Sequence, residues 1–170
     1  MSNAEYLYND AEKLYIKADK EWDKGNLKVA FDLFLEGAKA GEEGSQNCLG
    51  IFYECGLGIR KNSKKALSWY KKSIKNDSSP AIENIAHYYF KQGNPTRAKF
   101  WYKKAIKAGN GNASLEMAKI YLSSKQNKHN TKCAIKYLKK ALICEPYETI
   151  TLDSYEEAEK LLAETTGKKS

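Results

Sequence analysis

Proline is scarce, three in 170 residues, and glycine is held to eleven, so little stands in the way of long helices. No window approaches the roughly 18 consecutive apolar residues that a membrane span needs. The opening MSNAEYLYNDAEKLY is polar and acidic and lacks the apolar core of a secretory leader. A cytoplasmic location with no membrane partner is therefore expected. The four cysteines, Cys48, Cys55, Cys133 and Cys144, form no Cys-x-x-Cys pair, and the only histidines, His87 and His129, stand alone. That is not a zinc pattern, and the thiols are expected to pack as small apolar side chains in or near a reduced core. H-E-x-x-H, G-x-S-x-G and G-x-x-x-x-G-K-[ST] are all absent. Neither a catalytic residue nor a metal or other cofactor is assigned.

What is present is globular: 42% of the residues are apolar and 12% of the residues are aromatic, in a chain long enough for a core. The net charge of +8 hides a pattern. Residues 44–140 hold twenty lysines and arginines against four acids, whereas residues 1–43 and 141–170 are both mildly acidic. A basic middle of that size steers acidic partners toward it.

Internal periodicity organises the rest. Four segments superimpose, around Ala18 to Ala30, Gly50 to Ala66, Ala86 to Ala98 and Ala118 to Ala134; each runs from a small residue through a turn to an alanine. Before the turn stand Leu49-Gly50-x-x-Tyr53, Ile85-Ala86-x-x-Tyr89 and Met117-Ala118-x-x-Tyr121; after it stand Ala66-x-x-Trp69-Tyr70, Ala98-x-x-Trp101-Tyr102 and Ala134-x-x-Tyr137-Leu138. In KKALSWYKKSIK, helical spacing puts Lys64, Ser68, Lys71, Lys72 and Lys75 on one arc and Ala66, Trp69, Tyr70, Ser73 and Ile74 opposite. The small residues fall where two helices cross closely. Such pairs cannot bury their apolar sides alone and must stack. The predicted fold is an all-α, α/α superhelix (solenoid) of about four helix-turn-helix repeats in one domain, 1–170, with repeats near 10–44, 45–79, 80–112 and 113–149 and a capping helix at 153–163. Pro80 suits a first helical turn, Gly109-Asn110-Gly111-Asn112 separates two repeats, Glu145-Pro146 ends the last full pair, and residues 164–170 are expected to fray.

The second segment, with Leu49, Gly50, Tyr53, Gly56, Gly58, Ile59, Lys65, Ala66, Trp69, Tyr70 and Lys72 in place, resembles a Sel-one-like repeat, the longer relative of the tetratricopeptide repeat. Segments one and three have turns four residues shorter and no Gly-x-Gly, closer to the tetratricopeptide form; segment four fills a longer turn with SSKQNKHN. The resemblance implies a non-catalytic adaptor that holds a protein or peptide in a groove lined by the first helix of each pair. Carried over position by position, it implies groove residues Tyr15, Asp19, Trp22 and Asp23; Asn47, Ile51 and Glu54; Glu83, His87, Phe90 and Lys91; and Leu115, Lys119, Leu122 and Ser123. Trp22 and Phe90 occupy equivalent places, where a large aromatic suits an anchor, although aromatics at helical spacing also serve packing. Asn47, Lys91 and Lys119 are a candidate carboxylate clamp.

The outer faces supply a second surface, basic through Lys64, Lys71, Lys75, Arg97, Lys104 and Lys107. Phe100 falls among these lysines, and is read as covering a neighbouring turn rather than as a convex contact. His87 has no nucleophile or orienting acid identifiable beside it and is read as a groove or partly buried side chain. Glu42-Glu43 and Glu156-Glu157 are read as solvated charge near helix ends. A protein partner of acidic character is thus expected. An immunity or inhibitor protein that blocks a toxin belongs to the same physical class. A nucleic-acid-binding solenoid is the alternative from another class; the near absence of arginine, Arg60 and Arg97 only, argues against it.

ECGLGIRKNSKK, residues 54–65, imitates a phosphate loop, with Gly56-x-Gly58 next to clustered cations. A phosphate-wrapping Gly-x-Gly follows a strand and opens a helix. Here it follows a helix and precedes Ala66 by eight residues. Gly56 is therefore expected to end a helix in the left-handed conformation, with Ile59 tucked back beneath the pair.

Overall fold

The computed structural model describes residues 3–74, 79–124, 127–143 and 150–167, with side chains from Asp10 onward and Ser79 excepted. Nine helices occupy these residues: α1 (Asn3–Asp23), α2 (Leu27–Lys39), α3 (Glu43–Cys55), α4 (Ser63–Ser73), α5 (Ser79–Lys91), α6 (Pro95–Lys107), α7 (Asn112–Ser123), α8 (Lys128–Ala141) and α9 (Leu152–Thr166). They alternate as first and second helices of the expected repeats. The alanines that open the second amphipathic stretch, Ala30, Ala66, Ala98 and Ala134, are all fully buried. Lys75, Cys144 and Glu145-Pro146 lie outside the described residues.

Why each second helix starts where it does is a matter of caps. The Asn62 side chain accepts from the Lys65 amide at 3.0 Å, Asn94 from Arg97 at 3.0 Å and Asn127 from Asn130 at 2.8 Å. Each satisfies one amide that the first helical turn leaves without a partner. In α6 Pro95 follows its cap directly, where its missing N–H costs nothing. Glu42 caps α3 by accepting from the amides of Gly44 and Ser45. It is therefore a structural acceptor and not the solvated charge read from the sequence. Gly56 ends α3 with φ +78°, as the Gly-x-Gly reading required, and Gly58 follows at φ +63°.

Contacts gather into two compact units, residues 1–81 and 82–170. In the first, Ala18, Ala30, Phe31, Phe34, Ala38, Cys48, Leu49 and Phe52 form the core, with Leu57 and Ile59 folded back against it. Its centre is aromatic. Phe52 meets Trp22 at 5.1 Å and Phe34 at 5.6 Å, both edge-on, the geometry that ring quadrupoles favour. Gly50 admits the Tyr70 ring so closely that a Cβ there would stand 2.2 Å from it.

In the second unit, Leu115, Ala118, Leu138, Ala141, Ile150 and Ala158 are buried where α7, α8 and α9 meet. α9 extends past both limits of the expected cap, and instead of fraying after residue 163 it runs to Thr166 and closes on Gly167 in the left-handed conformation. Thr165 and Thr166 donate back to Leu161 and Leu162 carbonyls at 2.6 and 2.8 Å, which holds that last turn.

Candidate interaction face on the first helices

Position along the first helices sorts the predicted groove residues into columns. Four residues after the small residue stand Trp22, Glu54, Phe90 and Leu122; one after it stand Asp19, Ile51, His87 and Lys119; three before it stand Tyr15, Asn47, Glu83 and Leu115. At 100° per residue these three positions share a face.

In the first unit, Asp19 is exposed, while Tyr15, Asn47 and Glu54 are half-buried. Tyr15 leans on Phe34 at 5.9 Å, and burial raises its hydroxyl pKa. Trp22 is half-buried between Phe34 at 6.0 Å and Phe52. Glu54 accepts a 2.8 Å hydrogen bond from the buried Tyr70 hydroxyl, whose pKa is driven up first by burial and then by that carboxylate. Cys48 is buried and its thiol is pushed up to about 12, chiefly by burial, which makes it a poor nucleophile. Cys55 is exposed two turns further on, about 10 Å along the axis and beyond disulfide reach.

The second unit carries a polar chain that runs across three helices. His87 Nε2 on α5 stands 3.6 Å from Glu116 Oε2 on α7; Lys119 Nζ reaches Glu116 Oε1 at 3.0 Å and Glu157 Oε2 on α9 at 2.7 Å. Burial pushes the Glu116 carboxyl up, but the bonds from His87 and Lys119 outweigh it and leave it below its ordinary value. The hydrogen bond to Glu116 outweighs burial at His87 and raises it, so this histidine is biased toward its charged form. Glu83, held up by burial, accepts from Asn110 Nδ2 at 2.6 Å, while Asn110 Oδ1 caps α7 by accepting from the Ala113 amide.

Several sequence readings change here. Lys119 is engaged by two carboxylates, Glu116 and Glu157. Glu157 is an ion-pair partner and not simply solvated charge. Leu115 is 1% exposed and sits in the core, not on the face. Phe90 is 41% exposed, Lys91 is exposed and Leu122 is half-buried. Phe100 does not cover a turn: it is 55% exposed, edge-on to Trp101 and beneath Lys104 at 5.2 Å. Lys64, Lys71, Arg97, Lys104 and Lys107 are all exposed. Among the described residues no group of three histidines, cysteines or acids is close enough to hold a metal, and no helix is long and apolar enough to cross a membrane.

Tyr70 and Tyr102 hold equivalent places, four residues after Ala66 and Ala98, yet they are treated differently. Where Glu54 serves Tyr70, Phe90 stands in the third repeat, and the Tyr102 hydroxyl is buried with no hydrogen-bond partner among the described residues. Tyr102→Phe is therefore expected to be neutral or slightly stabilising, whereas Tyr70→Phe costs about 1 kcal/mol or more. Urea midpoints of the two variants check this, and equal losses would mean that Tyr102 has a partner after all.

Segregation of charge is the other feature of the architecture. α4, α6 and α8 contain no Asp or Glu, while among the described residues the acids of repeats two to four sit on α3, α5 and α7. Some of the cations rest on rings, Lys72 over Trp69 at 3.9 Å and Lys99 over Tyr121 at 4.0 Å.

Comparison with known proteins places this architecture. The Sel1 repeat model matches residues 45–78 and 80–110. A 56-residue stretch, 33% of the chain, is 39% identical to the chitin synthase regulator SKT5 of Saccharomyces cerevisiae, but it spans only 8% of that protein. The fold is similar to a Sel1 repeat protein from Oxalobacter formigenes, with TM-score 0.70 and 24% identity over 96% of this chain and 64% of that one. It is also similar to a protective antigen with an SLR fold from uropathogenic Escherichia coli, with TM-score 0.66 and 28% identity over 82% of this chain and 29% of that one. Proteins built from this repeat are generally protein-interaction modules. Small residues that let helices cross, alanines that open each second helix and a Gly-x-Gly turn in the left-handed conformation make this an all-α helical-repeat protein, and its residues 45–78 and 80–110 match the Sel1 repeat.

Proposed function

We propose that this protein is a non-catalytic interaction module that anchors a protein partner on the first-helix face of its second unit, at Phe90, and attracts a partner of acidic character through its basic second helices. The exchange at Phe90 carries the reading. In repeat two the same position holds a carboxylate that satisfies a buried tyrosine; in repeat three that service is given up, at the cost of an unpartnered Tyr102 hydroxyl, for an exposed ring. A sequence that gives up a stabilising bond for an exposed aromatic is spending stability on a surface. His87 supports the non-catalytic part: its partner is a carboxylate already engaged by Lys119, the arrangement of a structural ion pair.

Affinity capture from an extract of the source cells, with wild-type and Phe90→Ala proteins as baits, tests the proposal. The wild type is expected to retain one discrete protein, and the variant to lose most of it while melting at the same temperature. Equal recovery by both baits would remove Phe90 from the interface.

A further inference from the structure

Independently of that groove reading, we infer that the outward face of α8 is a docking surface for an anionic lipid bilayer. Lys132, Ile135, Lys136 and Lys139 fall within roughly 100° of the α8 circumference and, with Lys140 and with Ile143 in the turn just past the helix end, line a shallow depression of about 640 Å³. The helix carries five lysines and no acid. Ile143 is 80% exposed, the most exposed of the large apolar side chains described.

The chemistry of the face selects its occupant. Lysine stems and two isoleucines make an apolar floor, and the ammonium groups form its rim, as on helices that lie in a membrane interface with their cations reaching the headgroups. A nucleic-acid backbone would use the lysines and leave both isoleucines against water. An acidic protein helix needs a groove to seat its apolar ridge, and this depression is open across its width. Lysines without arginine present compact point charges rather than bidentate forks, which suits mobile headgroups that adjust to them. Such contact needs no spanning helix; it departs from the expectation of no membrane partner, which rested on the lack of long apolar runs.

Flotation of the full chain with vesicles of phosphatidylcholine, alone or mixed with phosphatidylserine, is the test. Wild type is expected to float with the mixed vesicles only and to be released by salt. Removing three surface lysines together, Lys132→Ala, Lys136→Ala and Lys139→Ala, lowers partitioning on the order of 100-fold, since each is worth about fivefold near such a surface. Ile143→Ser lowers it on the order of 10-fold. All four side chains are solvent-facing, and unchanged circular dichroism confirms folded variants. Failure of the wild type to float overturns the inference. So does flotation indifferent to Ile143→Ser, or binding to a labelled DNA duplex in the same buffer without any binding to vesicles; the last outcome would reassign the face to nucleic acid. Loss of Phe90-dependent capture leaves this result untouched, so the two readings fail separately.

Discussion

A Phe52→Ala chain is expected to be about 3–5 kcal/mol less stable than wild type. Phe52 is fully buried and holds the aromatic centre of the first unit, in contact with Trp22, Phe34 and Phe31, the last at 6.1 Å. Truncation removes its own burial energy and opens a cavity that three rigid rings cannot collapse into. Since a domain of this size is stable by only about 5–15 kcal/mol, that is a large part of the total. Urea unfolding followed by circular dichroism measures it; a loss under about 1 kcal/mol would show that this cluster is not the core of the unit. The same experiment separates the two aromatics that hold equivalent first-helix positions, Trp22 and Phe90. Trp22→Ala disturbs the cluster and mixes binding with stability, whereas Phe90→Ala removes an exposed ring and reads binding alone.

Gly50→Ala is the second large effect, and its sign runs against helix propensity. Alanine is the better helix former by about 1 kcal/mol, so an unobstructed site would be stabilised. Here the added Cβ stands 2.2 and 2.3 Å from two atoms of the Tyr70 ring, far inside van der Waals contact. The ring is not free to retreat, because its hydroxyl is tied to Glu54 and the side chain is 1% exposed. A net loss of about 1–3 kcal/mol is expected from the overpacking. Tyr70→Leu, which copies the Ala118 and Leu138 combination of repeat four, should cost less in the Gly50→Ala background than in wild type, a coupling that a double-mutant cycle resolves. A neutral or stabilising Gly50→Ala would mean that Tyr70 does not sit against this helix. The pairing also accounts for a difference between repeats that composition leaves unexplained: glycine accompanies the tyrosine bound to a carboxylate, and Ala86 accompanies Tyr102, which has none.

Much of the fold was legible because each repeat states it again. Ala66, Ala98 and Ala134 recur, and local spacing alone puts them on a buried stripe, where they are found. Gly56 was legible for the same local reason: a glycine after a helix and before a turn has one economical conformation. The asparagine four residues before the alanine in repeats two and three, Asn62 and Asn94, was an equally local signal for the helix start, though only the alanines were read. The polar chain from His87 through Glu116 and Lys119 to Glu157 was not legible, because its members come from α5, α7 and α9 and meet only after the helices pack. Leu115 failed differently. Its column is polar or amphipathic in the other repeats, and a leucine at the edge of an apolar stripe rotates inward where hydrophobic neighbours such as Leu138 wait.

Asn110 links α5 to the start of α7, its amide nitrogen on Glu83 and its carbonyl oxygen on the Ala113 amide, and it is followed by Gly111. Asparagine before glycine is the context in which the side chain most readily cyclises on the next amide nitrogen and hydrolyses to an acid. Both ends of the Asn110 amide are held, which keeps its carbonyl carbon away from that attack. Once converted, the new carboxylate would lose the donor to Glu83 and face a second negative charge at hydrogen-bond distance. The same two hydrogen bonds that join α5 to α7 therefore also protect the chain chemically, and deamidation at Asn110 is expected to be slow while the fold is intact and faster once it is unfolded.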